Sequence, residues 1–215
     1  MRVLVLAGDA WHPAEIVQRG LGALDRAGFD FEHIEEGDRW SPAMMDEFPL
    51  VVVAKANHLS ATDQRTWLAT DTQTAFRKYV QRGGGLFVVH AGACYKDLPE
   101  MRGTTGGAFL RHSDQCAVTI EPKAGHALAH GVASFTVQDE HYIMALDDAG
   151  ADVFLHSRSE HGVQPAGWTR MEGRGRVCVV TPGHNVEVWL QPSFQILLGN
   201  ALNWLGAVSN LKVNQ

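Results

Sequence analysis

Four short apolar runs limit what this chain can fold into: VLVLA at 3–7, LVVVA at 50–54, LFVV at 86–89 and VCVV at 177–180. Each is rich in β-branched residues and none alternates apolar with polar positions, which is the pattern of a strand covered on both faces. Each stops abruptly in a polar or small-residue loop, at Gly8-Asp9, Lys55-Ala56, His90-Ala91-Gly92 and Thr181-Pro182-Gly183-His184. Between the runs lie stretches with apolar residues at helical spacing. One spans 12–29, with Pro13 suited to a first turn and Gly28 to a stop. Another spans 60–82, with a break expected at ATDTQT, and a closing helix runs over 193–206. Strands alternating with helices pair in parallel, and their strand-to-helix loops collect at one edge of the sheet, where ligands of such folds bind. The expected class is therefore α/β, built on an open, mostly parallel sheet.

The remaining segments fill in this outline. FDFEHI reads as a second strand, CAVTIEP and ADVFLHS as further strands, and AGWTRMEGRGRVCVVTPG as a hairpin turning at EGRG. The glycine-rich stretch from Lys96 to Arg111 is too irregular for a core helix and is expected to be a functional loop. With 215 residues and no repeat or linker, one domain over 1–215 is expected.

Charge and cysteine usage narrow the partners. A net charge of -6 without a basic run lacks the footprint of nucleic-acid or anionic-membrane binding. No apolar run is long enough to span a bilayer, and the start of the sequence does not read as a secretory leader. Cys94, Cys116 and Cys178 are odd in number and far apart, which fits reduced thiols, a cytoplasmic location and no cysteine-rich zinc site.

The loops carry the candidate chemistry. Asp9 and His12 follow the first strand, His90 follows LFVV, and His184 follows VCVV, so three strands lead into histidine. His112 and the acidic pair Asp139-Glu140 come from irregular segments. Imidazoles beside a carboxylate serve either general acid/base chemistry or a metal site, and the spacing alone chooses neither. Trp189, close after His184, is a candidate wall for a sugar or another flat apolar face. The phosphate-loop and dinucleotide glycine motifs are absent, as is the GxSxG elbow of α/β-hydrolases.

Taken together, RGGGLFVVHAG, GGAFLRH, GHALAHGV, QDEHY, PAGWTRMEGRGRVCVVTPGH and the terminal NALNWLG resemble the ThuA-like, trehalose-utilisation family of the class I glutamine amidotransferase-like superfamily. The resemblance implies a flavodoxin-like, three-layer open sheet and a link to sugar metabolism. It places the superfamily's nucleophilic cysteine at His90 and its triad histidine near His184, with Glu187 out of step. An imidazole cannot do a thiolate's work in glutamine hydrolysis, so glutaminase activity is not expected.

The expectation is a sugar-related enzyme, an isomerase or epimerase of a keto-sugar or a hydrolase. His12, His90, His112, Glu140 and His184 would line one pocket as acid/base groups or as a cradle for a divalent metal such as zinc. Asp9, Asp139 and Trp189 would contact a small-molecule sugar. A non-catalytic carbohydrate-binding module and a cysteine hydrolase using Cys94, which lies past the turn and is expected to point elsewhere, are the alternatives. Oligomeric state, including a homo-oligomer, stays open.

Overall fold

The four apolar runs become neighbouring parallel strands. The computed structural model describes residues 1–24, 28–147 and 150–207. Strands β1 (Arg2–Ala7), β2 (Asp30–Ile34), β3 (Leu50–Ala54), β4 (Gly85–Val89) and β11 (Gly175–Val180) lie side by side in the order β2-β1-β3-β4-β11, all parallel. Ala7 sits opposite Ala54, Val53 opposite Val88, and Val89 opposite Val180, so the carboxyl ends are level. Everything that follows β1, β3, β4 and β11 therefore emerges at one edge.

Alternate residues of these strands feed two cores. Val3, Val5, Val52, Phe87, Val89, Cys178 and Val180 pack against Val17 and Leu21 of α1 (Ala14–Gly22) and Phe194, Leu197, Leu198 and Leu202 of α5 (Pro192–Gly206). Leu4, Leu6, Val51, Val53, Val88 and Val179 pack on the other face against Phe76, Tyr79 and Val80 of α2 (Thr70–Gln81) and Met101 of α3 (Pro99–Thr105). A strand buried on both faces needs apolar residues at every position, which is why these runs show no alternation. The flavodoxin-like layering of helices about a central sheet follows.

Beyond β11 the sheet continues antiparallel through β10 (Gly162–Glu172), β9 (Asp152–Ser159), β6 (Cys116–Pro122) and β7 (Phe135–Asp139), giving nine strands. The β10–β11 hairpin turns within EGRG, as the sequence indicates. A separate two-stranded antiparallel ribbon joins β5 (Gly107–His112) to β8 (Tyr142–Leu146).

Three expectations need correction. The stretch from Lys96 to Arg111 is not a loop: Pro99 opens α3 in the first turn, Gly106 ends it at φ 77°, and β5 follows at once. The helix expected over 60–82 is only α2, which starts inside the Thr/Asp stretch taken as its break, because Asp71 suits the positive end of a helix. The segment carrying Asp139-Glu140, read as irregular, is flanked by strands: Asp139 ends β7 and Tyr142 begins β8. Of the helix expected over 12–29, α1 covers the first half, and residues 25–27 lie outside the described residues. The closing helix is as expected, capped by the Gln191 side chain accepting from the N–H groups of Ser193 and Phe194. No helix among the described residues is long and apolar enough to cross a membrane.

Candidate functional site

Four residues from four separate segments meet above the carboxyl edge of the parallel strands. His12, His90, Glu140 and His184 each present a ligand atom, and these atoms all lie within 4.8 Å of one another. The ring centroids of the three histidines stand 5.0, 5.3 and 5.6 Å apart.

His90 is the first residue past β4 and has φ 47°, the only non-glycine residue with a positive φ among those described. A side chain with a β-carbon rarely adopts this conformation, and such residues gather at functional sites. The sharp turn that follows is made by Gly92, where a β-carbon would come 2.1 Å from the Val53 carbonyl oxygen. His90 Nδ1 lies 2.8 Å from the carbonyl of Thr181. A carbonyl only accepts, so Nδ1 carries the proton and Nε2 is left with its lone pair.

His12 is oriented by Asp9. Its Nδ1 is 2.9 Å from both carboxylate oxygens of Asp9, leaving Nε2 as its free donor atom. Asp9 is 1% exposed and also accepts the backbone N–H groups of Trp11, His12 and Ala56. Burial works against ionisation of Asp9, but the His12 ring and these N–H groups outweigh it and hold its pKa below the ordinary value. Burial likewise holds His12 below the usual histidine value despite Asp9, with His90 and His184 adding to the effect.

His184 is placed by Asp139, whose two oxygens accept the backbone N–H groups of Gly183 at 2.9 Å and His184 at 3.0 Å. Burial raises the Asp139 pKa against the pull of His90 and these N–H groups. His184 Nδ1 is buried and has no aligned hydrogen-bond partner among the described residues. It lies 3.3 Å from Glu140 Oε1, and this carboxylate raises the His184 pKa. Glu140 Oε2 is 3.5 Å from His90 Nε2. Burial opposes ionisation of Glu140, yet His184 and His90 together hold its pKa well below the ordinary value.

The other sequence candidates separate by role. His112 stands at the rim rather than in the cluster: its side chain is 42% exposed, Nδ1 is 2.7 Å from the Ser113 carbonyl, and Glu140 Oε1 is 3.7 Å away. The five-residue cradle is thus a four-residue one with a neighbour. Asp9 and Asp139 spend their oxygens on backbone N–H groups and, for Asp9, on the His12 ring. Trp189 is 0% exposed, and its indole N–H donates to the Gly183 carbonyl. It supports the His184 loop from the core, bordering only a small cavity beneath His12, His90 and His184 rather than the large one above them. Glu187 is exposed on α4 (Val186–Leu190), and the acidic partner of His184 is Glu140.

A cavity of about 780 Å³ opens over the cluster. Trp11, Asn57 and His58 contribute to it from the loops after β1 and β3, and Phe109 and Tyr142 from the ribbon. Lys96 and Asp97 add polar groups. Cys94, expected to point elsewhere, also lines it, with Sγ 3.6 Å from Tyr142 Oη. Burial pushes this thiol up to about 12, which disfavours the thiolate at neutral pH. Tyr142 stacks on His90 at 4.3 Å and brings Oη to 3.1 Å from Nε2. Nothing in the sequence pattern singled out Tyr142, although it ends the QDEHY stretch; Trp11, an aromatic residue beside His12 in a strand-to-helix loop, was the more legible signal.

An open α/β sheet with a cluster of three histidines from the loops of its parallel half and a carboxylate from the segment between β7 and β8 is the class these observations define. The chain belongs to the ThuA family, described as "Trehalose utilisation", whose sequence profile matches residues 2–205. Among solved structures, a putative ThuA-like protein from Parabacteroides merdae aligns with TM-score 0.74 at 18% identity, covering 100% of this chain and 92% of that one. Another from Bacteroides uniformis aligns with TM-score 0.73 at 17% identity, covering 95% and 91%. A β-galactosidase from Rahnella sp. R3 shares the fold over 96% of this chain and 31% of its own length, at TM-score 0.70 and 15% identity. No curated protein matches the sequence.

Proposed function

We propose that this chain is a metal-assisted enzyme acting on a keto-sugar or disaccharide derivative, with His12, His90, Glu140 and His184 as the metal cradle. The observation that carries the reading is the convergence of three imidazoles and one carboxylate, with outer ring partners already in place for two of the imidazoles. Asp9 and the Thr181 carbonyl each occupy one nitrogen of a histidine and leave the other as donor, the arrangement of metal-binding histidines. Four donors about 2.0–2.2 Å from one ion in a tetrahedron stand roughly 3.3–3.6 Å apart. The Glu140 carboxylate comes within that span of two histidines, through Oε2 to His90 at 3.5 Å and through Oε1 to His184 at 3.3 Å. The whole set of ligand atoms, within 4.8 Å of one another, would draw in by about 1 Å around an ion. The buried His184 Nδ1 makes no aligned hydrogen bond among the described residues, with the Glu140 carboxylate 3.3 Å away, and is what such an ion would satisfy. Three nitrogens and one oxygen suit zinc or a similar divalent ion.

A bound divalent ion supplies Lewis acidity to a substrate carbonyl or to water. The chain's own residues do the rest. His112 stands outside the four and has Nε2 free at the cavity rim, so it is the group placed to move a proton. The trehalose-utilisation family and the sugar-sized cavity support the substrate class.

The test is metal analysis of the purified protein, with turnover of a panel of disaccharides and their 3-keto forms before and after chelation. One divalent ion per chain is expected, lost in His12→Ala and His184→Ala, with turnover lost alongside it. His112→Ala is expected to keep the ion and lose turnover. A metal-free protein with full turnover would overturn the cradle, and ligand-induced stabilisation without product would identify a binding module instead.

A further inference from the structure

Six tryptophans divide sharply by exposure. Trp40 and Trp67 are 8% exposed, Trp168 and Trp189 are 0% exposed, and Trp204 is partly buried. Trp11 is 60% exposed and lines the cavity over the cluster. Folding gains nothing from leaving so large an apolar ring in water, and this ring borders a cavity in which a ligand would cover it. The ring is also held in place. The Trp11 backbone N–H is fixed by Asp9 Oδ1 at 2.9 Å, and the indole rests on the His58 ring at 4.3 Å with a 59° tilt. The residue next in sequence is His12, so the carboxylate that orients one cluster histidine also fixes the backbone that carries this ring.

We propose that Trp11 is the platform on which a saccharide ring stacks, with its C–H face on the indole and its hydroxyls turned to Asn57, Lys96 and Asp97. The chemistry of the wall selects this ligand. A pyranose has an apolar face and a polar edge, and the cavity offers an exposed aromatic face together with a carboxamide, an ammonium and a carboxylate. Asn57 spends its Oδ1 on the N–H groups of Trp67 and Leu68 and leaves its amide N–H groups for a hydroxyl. Lys96 and Asp97 stand exposed at the rim, so a ligand with a polar edge finds partners there, whereas a purely ionic one would leave the indole without a partner. This deepens the functional reading above and rests on it for the ligand class, while moving the stacking role from the buried Trp189 to Trp11.

Because Trp11 is the only exposed tryptophan among the described residues, quenching of the intrinsic emission by acrylamide reports on it directly. The full-length protein is titrated with trehalose, maltose and lactose, with sorbitol as an open-chain polyol control. At least one disaccharide is expected to protect the quenchable emission by half or more, and sorbitol is not. By calorimetry, Trp11→Ala is expected to bind that disaccharide about tenfold more weakly, and Trp11→Tyr to recover most of the loss. Metal content is measured on the same samples and is expected to be unchanged in both variants. Equal affinity in wild type and Trp11→Ala, or no protection by any of the sugars, would overturn the platform. Metal bound without protection defeats the platform alone, and protection without metal defeats the cradle alone.

Discussion

The carboxylate of Asp139 grips the backbone of His184 rather than its ring, taking the N–H of Gly183 at 2.9 Å and that of His184 at 3.0 Å. Asp139 is 1% exposed, so those N–H groups have no water to turn to if it is removed. Each buried donor left unsatisfied costs roughly 1–3 kcal/mol. Asp139→Ala is therefore expected to lower stability by about 2–5 kcal/mol in urea denaturation. Asp139→Asn keeps one acceptor oxygen and is expected to lose about half as much. A variant as stable as wild type would show that the loop is held by something else.

Asp9 does for the ring of His12 what Asp139 does for the backbone of His184. Asp9→Asn preserves size but presents an N–H to a nitrogen that now faces two acceptor oxygens. On the metal-cradle reading, the variant is expected to bind divalent ion about 10–100-fold more weakly, the usual cost of losing an outer partner. Isothermal titration of the apo variant against wild type checks this, and unchanged affinity would detach Asp9 from the site.

Two glycines test the geometry without touching the cluster's chemistry. At Gly92 a β-carbon would lie 2.1 Å from the Val53 carbonyl oxygen, a backbone atom with no easy way to yield. Gly92→Ala is expected to cost several kcal/mol, about 3 or more, and to displace the His90 turn. At Gly199, inside α5, nothing lies within 4 Å of the added atom. Gly199→Ala is expected to stabilise by about 0.5–1 kcal/mol through helix propensity, read as a higher denaturation midpoint.

The parallel half of the fold was legible because burial on both faces writes itself into continuous runs such as LVVVA, and because a parallel sheet brings its loops together wherever they lie in the chain. That reasoning found His12, His90 and His184 without any local motif. It did not foresee that Asp9 and Asp139 spend their oxygens on backbone N–H groups and His12 or that Trp189 is buried, since a sequence shows that a polar or aromatic residue is near a loop but not which way its side chain turns. Gly106 and Pro99 carried the signals for α3, yet the glycine-rich composition of the stretch masked them. Tyr142 enters the site from a ribbon whose pairing partner, β5, is 30 residues earlier, and long-range antiparallel pairing leaves little trace in local pattern.

Lys55 offers the sharpest pH test. It is 1% exposed, with Nζ donating to the carbonyls of Glu35 and Leu59, and burial lowers its pKa to about 8 against nearby carboxylates. The unfolded chain holds this proton up to about 10.4. Between those values the unfolded state binds more protons than the folded one, so the Lys55 contribution to stability rises with pH, by up to about 3 kcal/mol. Cys94 and Tyr142 act in the opposite sense, because burial raises their pKa values and folding then loses ground as alkali ionises them in the unfolded chain. The readout is therefore the difference between wild type and Lys55→Met, which leaves those groups in place. The two carbonyls abandoned in Lys55→Met lower its stability by an amount that does not depend on pH. Urea denaturation at intervals from pH 7.5 to 10.5 is expected to show the gap between the two proteins widening with pH, with most of the change above about 8. A constant gap across that range would mean that Lys55 keeps an ordinary pKa and that its ammonium is better solvated than its burial implies.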